Sequence, residues 1–513
     1  MPRTLTEDRF TKIVCTIGRQ HGDSLPEMLE TFYDHGMDVA RINMSHCAPD
    51  YGPQIEALDW VNNLGLPAHG PRIATLGDLQ GPKVRLGSVA EENYVLPTGQ
   101  EILLRAAEGS TDKGVLPIAP VLAEATFRSI SQAIHGTGGK VQLTLGDGDA
   151  VLEVENVRNL QEAVATVRVG GAVRSRMGFT AKGVELDVEV FTEKDKKDLA
   201  VLLEHNVTYV GVSFVRHAED LRRIRRYISD VLGVKRHVPL IAKIERPSAV
   251  KHAKDILRVS EGIMVARGDL GLSIDMEDVP QVQKQLVNLC RTAAKPVIIA
   301  TQMLESMTFN PEPTRAEVTD VFNAIMDGCD AVMLSGETSR GDHPTAAIDA
   351  MKRIATRAEL WRSTHVSERT KEQLMMDLYE SYSEDMESQT RQIDDEIARA
   401  ACHLAEGVSA QIIATLTASG ATAKRVARQR SHVPVIAAGV DQQVMRELLL
   451  TYGVRPLILK DNPSDSFPER STALTDQLEE MDLVDKGDIV VMTGGEPDWG
   501  IAGTNQLRVR IIQ

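Results

Sequence analysis

The chain has 513 residues, 25% of them charged and 42% hydrophobic, with a net charge of −16. That length exceeds what one core fills and points to roughly two to four domains. The acidic balance and the 4% aromatic content argue against a nucleic-acid binder, which would carry a basic footprint and stacking platforms.

No apolar run reaches the ~18 residues of a membrane helix, and the start, MPRTLTEDRF, has no signal-peptide core, so a cytoplasmic protein without a membrane segment is expected. The five cysteines, Cys15, Cys47, Cys290, Cys329 and Cys402, are scattered without CxxC spacing and read as buried thiols.

Short apolar runs open the chain at Lys12–Ile17, Asp38–Ile42 and Arg72–Leu76, with helix-like segments such as Leu25 to His35 between them. Residues 87–179 then turn rich in Gly and Val, with alternating stretches at Lys140–Leu145 and Ala163–Val169 and turn signals at Gly138-Gly139, Gly146-Asp147-Gly148 and Gly170-Gly171. That composition reads as a small all-β module. The strand–helix rhythm resumes near residue 180, with runs at Tyr209–Ser213, Leu240–Ala242, Ile263–Ala266, Pro296–Ala300 and Asp330–Leu334. Three runs before the module and five after it make eight, which suggests a (β/α)8 barrel with a small β-barrel lid inserted after strand three. A doubly wound open sheet is the alternative architecture.

Residues 356–392 read as a polar helical connector. Five further runs, Gln411–Leu416, Val433–Ala437, Val454–Leu459, Asp488–Met492 and Leu507–Ile512, read as a C-terminal α/β open-sheet domain. The expected division is 1–86 and 180–355 for the barrel, 87–179 for the lid, 356–392 for the connector and 393–513 for the C-terminal domain.

Polar residues gather just after the barrel runs, where such barrels carry their chemistry: Asn43 and Ser45, Asp78, Lys243 and Glu245, Asp269, Thr301 and Gln302, Ser335 and Glu337. Side chains alternate along a strand, so Lys243 and Glu245 project to one side, and the next run brings Asp269 beside them. Two carboxylates with a cation suit a hard divalent metal and an anionic substrate; salt bridges on a solvated rim are the plainer alternative.

These motifs carry a resemblance. Thr11–Gly18 (TKIVCTIG), Val39–His46 (VARINMSH), Gly77–Arg85 (GDLQGPKVR), Ala242–Glu245 (AKIE), Met264–Gly271 (MVARGDLG), Ala300–Met307 (ATQMLESM), Pro313–Val318 (PTRAEV) and Met333–Thr338 (MLSGET) resemble, in order, the motifs of pyruvate kinase. The resemblance covers nearly the whole chain. It implies transfer of a phosphoryl group from phosphoenolpyruvate to ADP, giving pyruvate and ATP. It implies a barrel with an inserted lid and a C-terminal regulatory domain, and a homotetramer. Phosphoryl transfer asks mainly for positioning and charge neutralisation.

On that resemblance Glu245 and Asp269 are the ligands of Mg2+ or Mn2+. Lys243 stabilises charge on the transferring group, and the amides of Gly268 and Asp269 receive the substrate carboxylate. Arg267 is structural. Thr301 touches substrate near the proton bound for the enolate carbon; Ser335 and Glu337 feed that proton or serve only the fold. Arg41 and Arg85 match the phosphate-clamping arginines, and His46, Arg85 and Lys182 nucleotide-contacting positions.

Potassium-dependent members read D-T-K-G-P-E where this chain has Asp78-Leu-Gln-Gly-Pro-Lys83, with Leu86 beyond. Asn43, Ser45, Asp78 and the carbonyl of Leu79 match the monovalent-cation ligands. Lys83 places an ammonium near that site, so K+ is expected not to be required. Arg19 stands where Pro is usual, Cys47 where Gly is, and Phe322 where Ala is common; the segment after Lys182 lacks the usual Asn and Pro. Thr415, Thr417, Ser419, Gly420 and Thr422 match the loop where the family binds sugar-phosphate effectors, and also suit an ordinary helix cap. A metal-enolate lyase or aldolase on a related barrel, and a catalytically idle sensor of phosphometabolites, are the alternatives; neither accounts for the lid together with Arg41, Arg85, Lys243, Glu245, Asp269 and Thr301.

Overall fold

A computed structural model describes residues 9–18, 24–47, 50–63, 71, 73–137, 139–365, 389–460, 466–495 and 503–513. Eight parallel strands close into a barrel: Lys12–Ile17, Val39–Asn43, Ala74–Asp78, Tyr209–Val212, Leu240–Ile244, Gly262–Ala266, Val297–Ala300 and Ala331–Leu334. The first strand pairs with the eighth, Lys12 opposite Ala331, which closes the ring. At this seam Gly18 lies so close to Ser339 that a Cβ would fall 2.0 Å from the Ser339 carbonyl oxygen, so no side chain fits there.

The alternation of side chains builds the site. Leu240, Ala242 and Ile244 face outward into the layer shared with the helices, while Ile241 faces the barrel interior with Val14, Val39, Leu76, Tyr209, Met264, Ile298 and Met333. Two residues on from an inward apolar position comes an inward polar one. Val39 leads to Arg41, Leu76 to Asp78, Ile241 to Lys243 and Met333 to Ser335. The barrel thus passes from an apolar interior to a charged rim at the C-terminal ends of its strands.

The floor of the interior is supplied from far along the chain. Leu449 and Leu450, in the 3-10 turn Leu448–Leu450, pack into the same inner cluster, and the Tyr209 hydroxyl donates to the Glu447 carbonyl. Around this floor Asp330 accepts from the Tyr452 and Val297 amides at 3.1 Å and pairs with Arg430 at 3.0 Å.

Between the third and fourth barrel strands lies the inserted module. Its main sheet has six strands, in the order 179–181, 141–145, 150–159, 162–169, 101–106, 115–118. It also carries an 18-residue helix, Pro120–Thr137, which the all-β reading did not contain. Ala123, Phe127 and Ile130 repeat at helical spacing and bury against the sheet.

Residues 356–365 are the final turns of the helix Pro344–His365, helical and mostly exposed as expected, but three of them turn inward. Ala358, Glu359 and Arg362 are buried; Glu359 accepts from the Phe10 and Thr11 amides at 2.9 and 2.7 Å. Most of the expected connector, 366–388, and Arg19 lie outside the described residues. The C-terminal domain is a five-stranded sheet, ordered 454–458, 435–439, 412–416, 489–494, 506–511, parallel except for the last strand. Cys15, Cys290, Cys329 and Cys402 are buried, and Cys47 is half-buried. No described helix is long and apolar enough to cross a membrane.

Candidate active site

A cavity of about 1080 Å³ opens at the C-terminal ends of the barrel strands, lined by Arg41, Asn43, Lys83, Asp269, Thr301 and Ser335 among others. Asp147, from the Gly146-Asp147-Gly148 turn of the inserted module, reaches its rim, as do Glu305 and Arg340. The charges at its base form one network. Lys243 Nζ lies 3.1 Å from Asp78 Oδ1 and 3.1 Å from Glu245 Oε1, and donates to Ser213 Oγ at 2.8 Å. Arg41 donates through Nε to Asp78 Oδ2 at 2.8 Å and through a terminal nitrogen to Thr16 Oγ1 at 2.8 Å. Glu245 Oε2 accepts from the Phe214 amide at 2.6 Å.

Asp78 and Glu245 are each 1% exposed. A buried charge without a partner would cost several kcal/mol, roughly, so the cations decide the protonation states. Burial pushes Asp78 up, but Lys243 and Arg41 outweigh it and hold its carboxyl below the usual range. Burial alone would favour neutral Lys243; Asp78 and Glu245 reverse that and raise it above an ordinary lysine. Glu245 ends up raised by burial and by the charge of Asp269, against the pull of Lys243. For Asp269 burial is overcome by Lys83 and Lys243, which hold it low.

Asp269 is the third residue of the helix Arg267–Ser273, whose N-cap is Ala266, so it is not the cap itself. The Gly268 amide donates to Thr301 Oγ1 at 2.7 Å, and that hydroxyl donates to the Ala300 carbonyl at 2.6 Å. Thr301 and Gln302 have φ of 69° and 54°, a conformation that costs a β-branched residue about 1–3 kcal/mol. Arg267 holds them there: its guanidinium donates to the carbonyls of Thr301 and Gln302 at 2.9 and 3.0 Å and pairs with Asp320 at 2.7 Å. Glu337 accepts from the Leu304 and Ser335 amides at 3.1 and 2.7 Å, joining the loops after the last two strands. Ser335 Oγ is buried and has no hydrogen-bond partner among the described residues.

The ammonium of Lys83 goes to Asp269 Oδ1, at 3.1 Å, instead of to the Asn43, Ser45 and Asp78 group expected from the sequence. Asp78 already faces two cations. Two further atoms at that site are engaged: Asn43 Oδ1 accepts from the Ser45 amide at 3.0 Å and the Leu79 carbonyl accepts from Ser213 Oγ at 2.6 Å. Arg85 donates to the Arg176 carbonyl at 3.2 Å and feels the charge of Asp269, but burial leaves it below an ordinary arginine. Lys182 turns to Asp275, at 2.7 Å. The side chain of His46 lies outside the described residues.

The C-terminal loop sits apart from this cavity. Thr417 Oγ1 accepts from the Gly420 amide at 2.9 Å, Thr422 bonds Thr504 at 2.6 Å, Thr415 is buried in its strand against the Ile436 carbonyl, and Ser419 is exposed. Ser213 and Thr16, which position Lys243 and Arg41, were not singled out in the sequence; the end-of-strand alternation at Tyr209-Val-Gly-Val-Ser213 was the available signal.

Comparison with known proteins bears on the same residues. The family model described as the pyruvate kinase barrel domain matches residues 8–348, and that of the pyruvate kinase alpha/beta domain matches 395–510. The chain belongs to the pyruvate kinase family. A pyruvate kinase of Methylorubrum extorquens is 36% identical over 99% of this chain and 98% of its own, and one of Thermotoga maritima 35% identical over 98% and 99%. Among solved structures, a pyruvate kinase from Cryptosporidium parvum superposes with a TM-score of 0.82 at 26% identity, covering 99% of this chain and 97% of that one. The protein is therefore an enzyme of the pyruvate kinase type, and the eight-stranded barrel with inserted and C-terminal domains is that family's architecture.

Proposed function

We propose that the rim network catalyses Mg2+-dependent phosphoryl transfer from phosphoenolpyruvate to ADP without a requirement for K+. The observation that carries the reading is Lys243, buried between Asp78 and Glu245 at 3.1 Å from each and within the electrostatic reach of Asp269. Lys243 then neutralises charge on the transferring group and on the enolate oxygen. Arg41 clamps the phosphoryl group, Thr301 and Gly268 border the substrate, and Ser335 stands on the proton's route. Arg85, His46 and Lys182 are reserved for the nucleotide, which requires Lys182 to leave Asp275.

The residues fit a divalent ion. Glu245 is buried, with Oε1 facing the Lys243 ammonium at 3.1 Å, its carboxyl is raised by burial, and Asp269 adds a second carboxylate. Mg2+ or Mn2+ held by Glu245 and Asp269 supplies positive charge to substrate oxygens. Among the described residues no group of three or more His, Cys, Asp or Glu side chains is arranged to hold a metal, so the ion would rely on these two carboxylates together with the substrate.

Support for K+ independence comes from charge: Lys83 lines the cavity with a fixed ammonium, and the Asn43, Asp78 and Leu79 oxygens are already engaged. We read residues 87–179 as a lid over this mouth, 180–355 with 1–86 as the barrel, and 393–513 as a regulatory domain. Any sugar-phosphate or nucleotide effector would meet it at the loop of Thr415, Thr417, Ser419, Gly420 and Thr422, of which Ser419 is exposed. A cytoplasmic homotetramer completes the proposal.

The test is the initial rate of ATP formation from phosphoenolpyruvate and ADP with Mg2+ in buffer free of K+ and Na+, repeated with KCl. A high rate with little stimulation is expected; strong activation by KCl refutes the role given to Lys83, and no ATP in either buffer refutes the site reading.

A further inference from the structure

One helix start, outside the cavity's charge network, holds two of the loops that line it. The helix Glu193–Glu204 follows directly on the segment that returns from the inserted module, and its N-cap is Thr192. Asp195 closes the capping box with Oδ2, accepting from the Thr192 amide and hydroxyl at 3.0 and 2.6 Å. An ordinary cap would stop there. Asp195 Oδ1 instead accepts from the amide of Gly81, at 3.1 Å, on the loop Gly81-Pro82-Lys83-Val84-Arg85. Gly81 has φ +65° and sits where a Cβ would meet Phe214 at 2.9 Å and Ser213 at 3.1 Å, so the loop is fixed from two sides.

One residue earlier, Lys194 donates to the carbonyl of Met44 at 2.6 Å, on the turn Met44–His46. Its ammonium is held by Asp198 Oδ2 at 2.6 Å, and Asp198 Oδ1 accepts from the Tyr51 hydroxyl at 2.8 Å. Asp195 and Asp198 are 1% and 0% exposed. Burying two carboxylates in one helical turn is expensive, and neither touches the cavity. What they hold does: Asn43 and Cys47 flank the Met44 turn on the cavity wall, and Lys83 lies two residues past Gly81.

We infer that Lys194 and Asp195 are positioning residues for the reaction: Lys194 sets the Asn43–Cys47 turn on the nucleotide side, and Asp195 sets the Gly81–Lys83 stretch, whose ammonium meets Asp269, on the phosphoryl side. This rests on the site assignment proposed above. The two contacts leave from adjacent residues at the end of the segment returning from the inserted module, so displacement of that segment is passed to both loops. Displacing a positioned group by about 1 Å costs up to about 100-fold in rate.

The experiment uses the full-length protein and four variants, Lys194→Met, Lys194→Arg, Asp195→Ala and, as a probe of the site itself, Lys83→Met. Steady-state kinetics in ADP and in phosphoenolpyruvate are measured beside thermal unfolding. Lys194→Met is expected to raise KM for ADP about tenfold to 100-fold with kcat within about threefold, and Lys194→Arg, which keeps the donor, to recover most of it. Asp195→Ala is expected to lower kcat by about tenfold or more. Asp195→Asn, which retains one acceptor oxygen, replaces it if the alanine variant does not fold, with a smaller fall in the same constant. Equal impairment of Lys194→Met and Lys194→Arg overturns the inference, because the hydrogen bond to Met44 would then be irrelevant. So do Lys194 and Asp195 variants within about twofold of the unaltered enzyme while Lys83→Met is impaired. A fully active Lys83→Met refutes the site assignment first, and the Asp195 half of the inference with it.

Discussion

Replacing Lys83 by glutamate reverses a charge on the cavity wall. The Lys83 ammonium is 3.1 Å from Asp269 Oδ1, with the two side chains 32% and 23% exposed. At that separation a unit pair is worth about 1.3 kcal/mol in water and about 5 kcal/mol at an effective permittivity near 20. Solvent reaches both groups, so the lower end applies, about 1–2 kcal/mol. Sign reversal removes the attraction and adds a repulsion of similar size, about 2–4 kcal/mol in all; an anionic substrate held at a comparable distance from residue 83 loses as much, about 30-fold to 1000-fold in kcat/KM. The assay is the coupled initial rate in buffer free of K+ and Na+, followed by titration with KCl. The Lys83→Glu enzyme is expected to lose this much without K+ and to regain most of it as K+ supplies the missing charge. A variant within about threefold of the unaltered enzyme in the K+-free buffer refutes the electrostatic argument. So does a loss that KCl leaves untouched.

Leu450→Ala removes a fully buried side chain from the barrel floor; chemical denaturation should show a loss of about 2–5 kcal/mol, with the rate of the folded enzyme little changed because the site lies at the opposite end. Chelation of divalent ions should abolish ATP formation while leaving the far-UV circular dichroism intact, since Lys243 and Lys83 still pair Glu245 and Asp269. Glu261 gives a pH signature: burial pushes its carboxyl up, but His237, Arg225 and the Leu240 amide outweigh that and hold it below the usual value. Its ionised form therefore stabilises the fold above the unfolded-state value, and that contribution is lost as pH falls through the folded one. The melting-temperature gap between the unaltered protein and Glu261→Gln should be widest near neutrality and close below about pH 4; a gap that widens in acid contradicts it.

The eight barrel strands were legible because each is a short apolar run ending in polar residues, and two-residue alternation alone carries Ile241 to Lys243 and Leu76 to Asp78. What stayed hidden depends on contacts between distant segments. Pro120–Thr137 lay inside a Gly- and Val-rich stretch whose strands set the reading, although Ala123, Phe127 and Ile130 repeat at helical spacing. Residues 356–365 looked polar, yet Glu359 is buried because two amides from the N-terminal strand's approach need an acceptor. Lys83 was placed by type and neighbourhood; its partner, Asp269, is 186 residues away. Sequence shows which charges a site can have and leaves open which of them pair.

The floor of the barrel has a consequence for how the chain is made. The first strand needs the eighth to close the ring, and the interior then needs Leu449 and Leu450 to fill its base. During synthesis the barrel's inner surface therefore waits for a segment translated near the end, while the inserted module, whose strands all pair within residues 94–181, can finish on its own. Such long waits favour populated intermediates with exposed apolar surface. A ribosome stalled before residue 449 should hold a completed module and a barrel that lacks its floor, and release of the last segment should be the step that makes the whole chain resistant to protease.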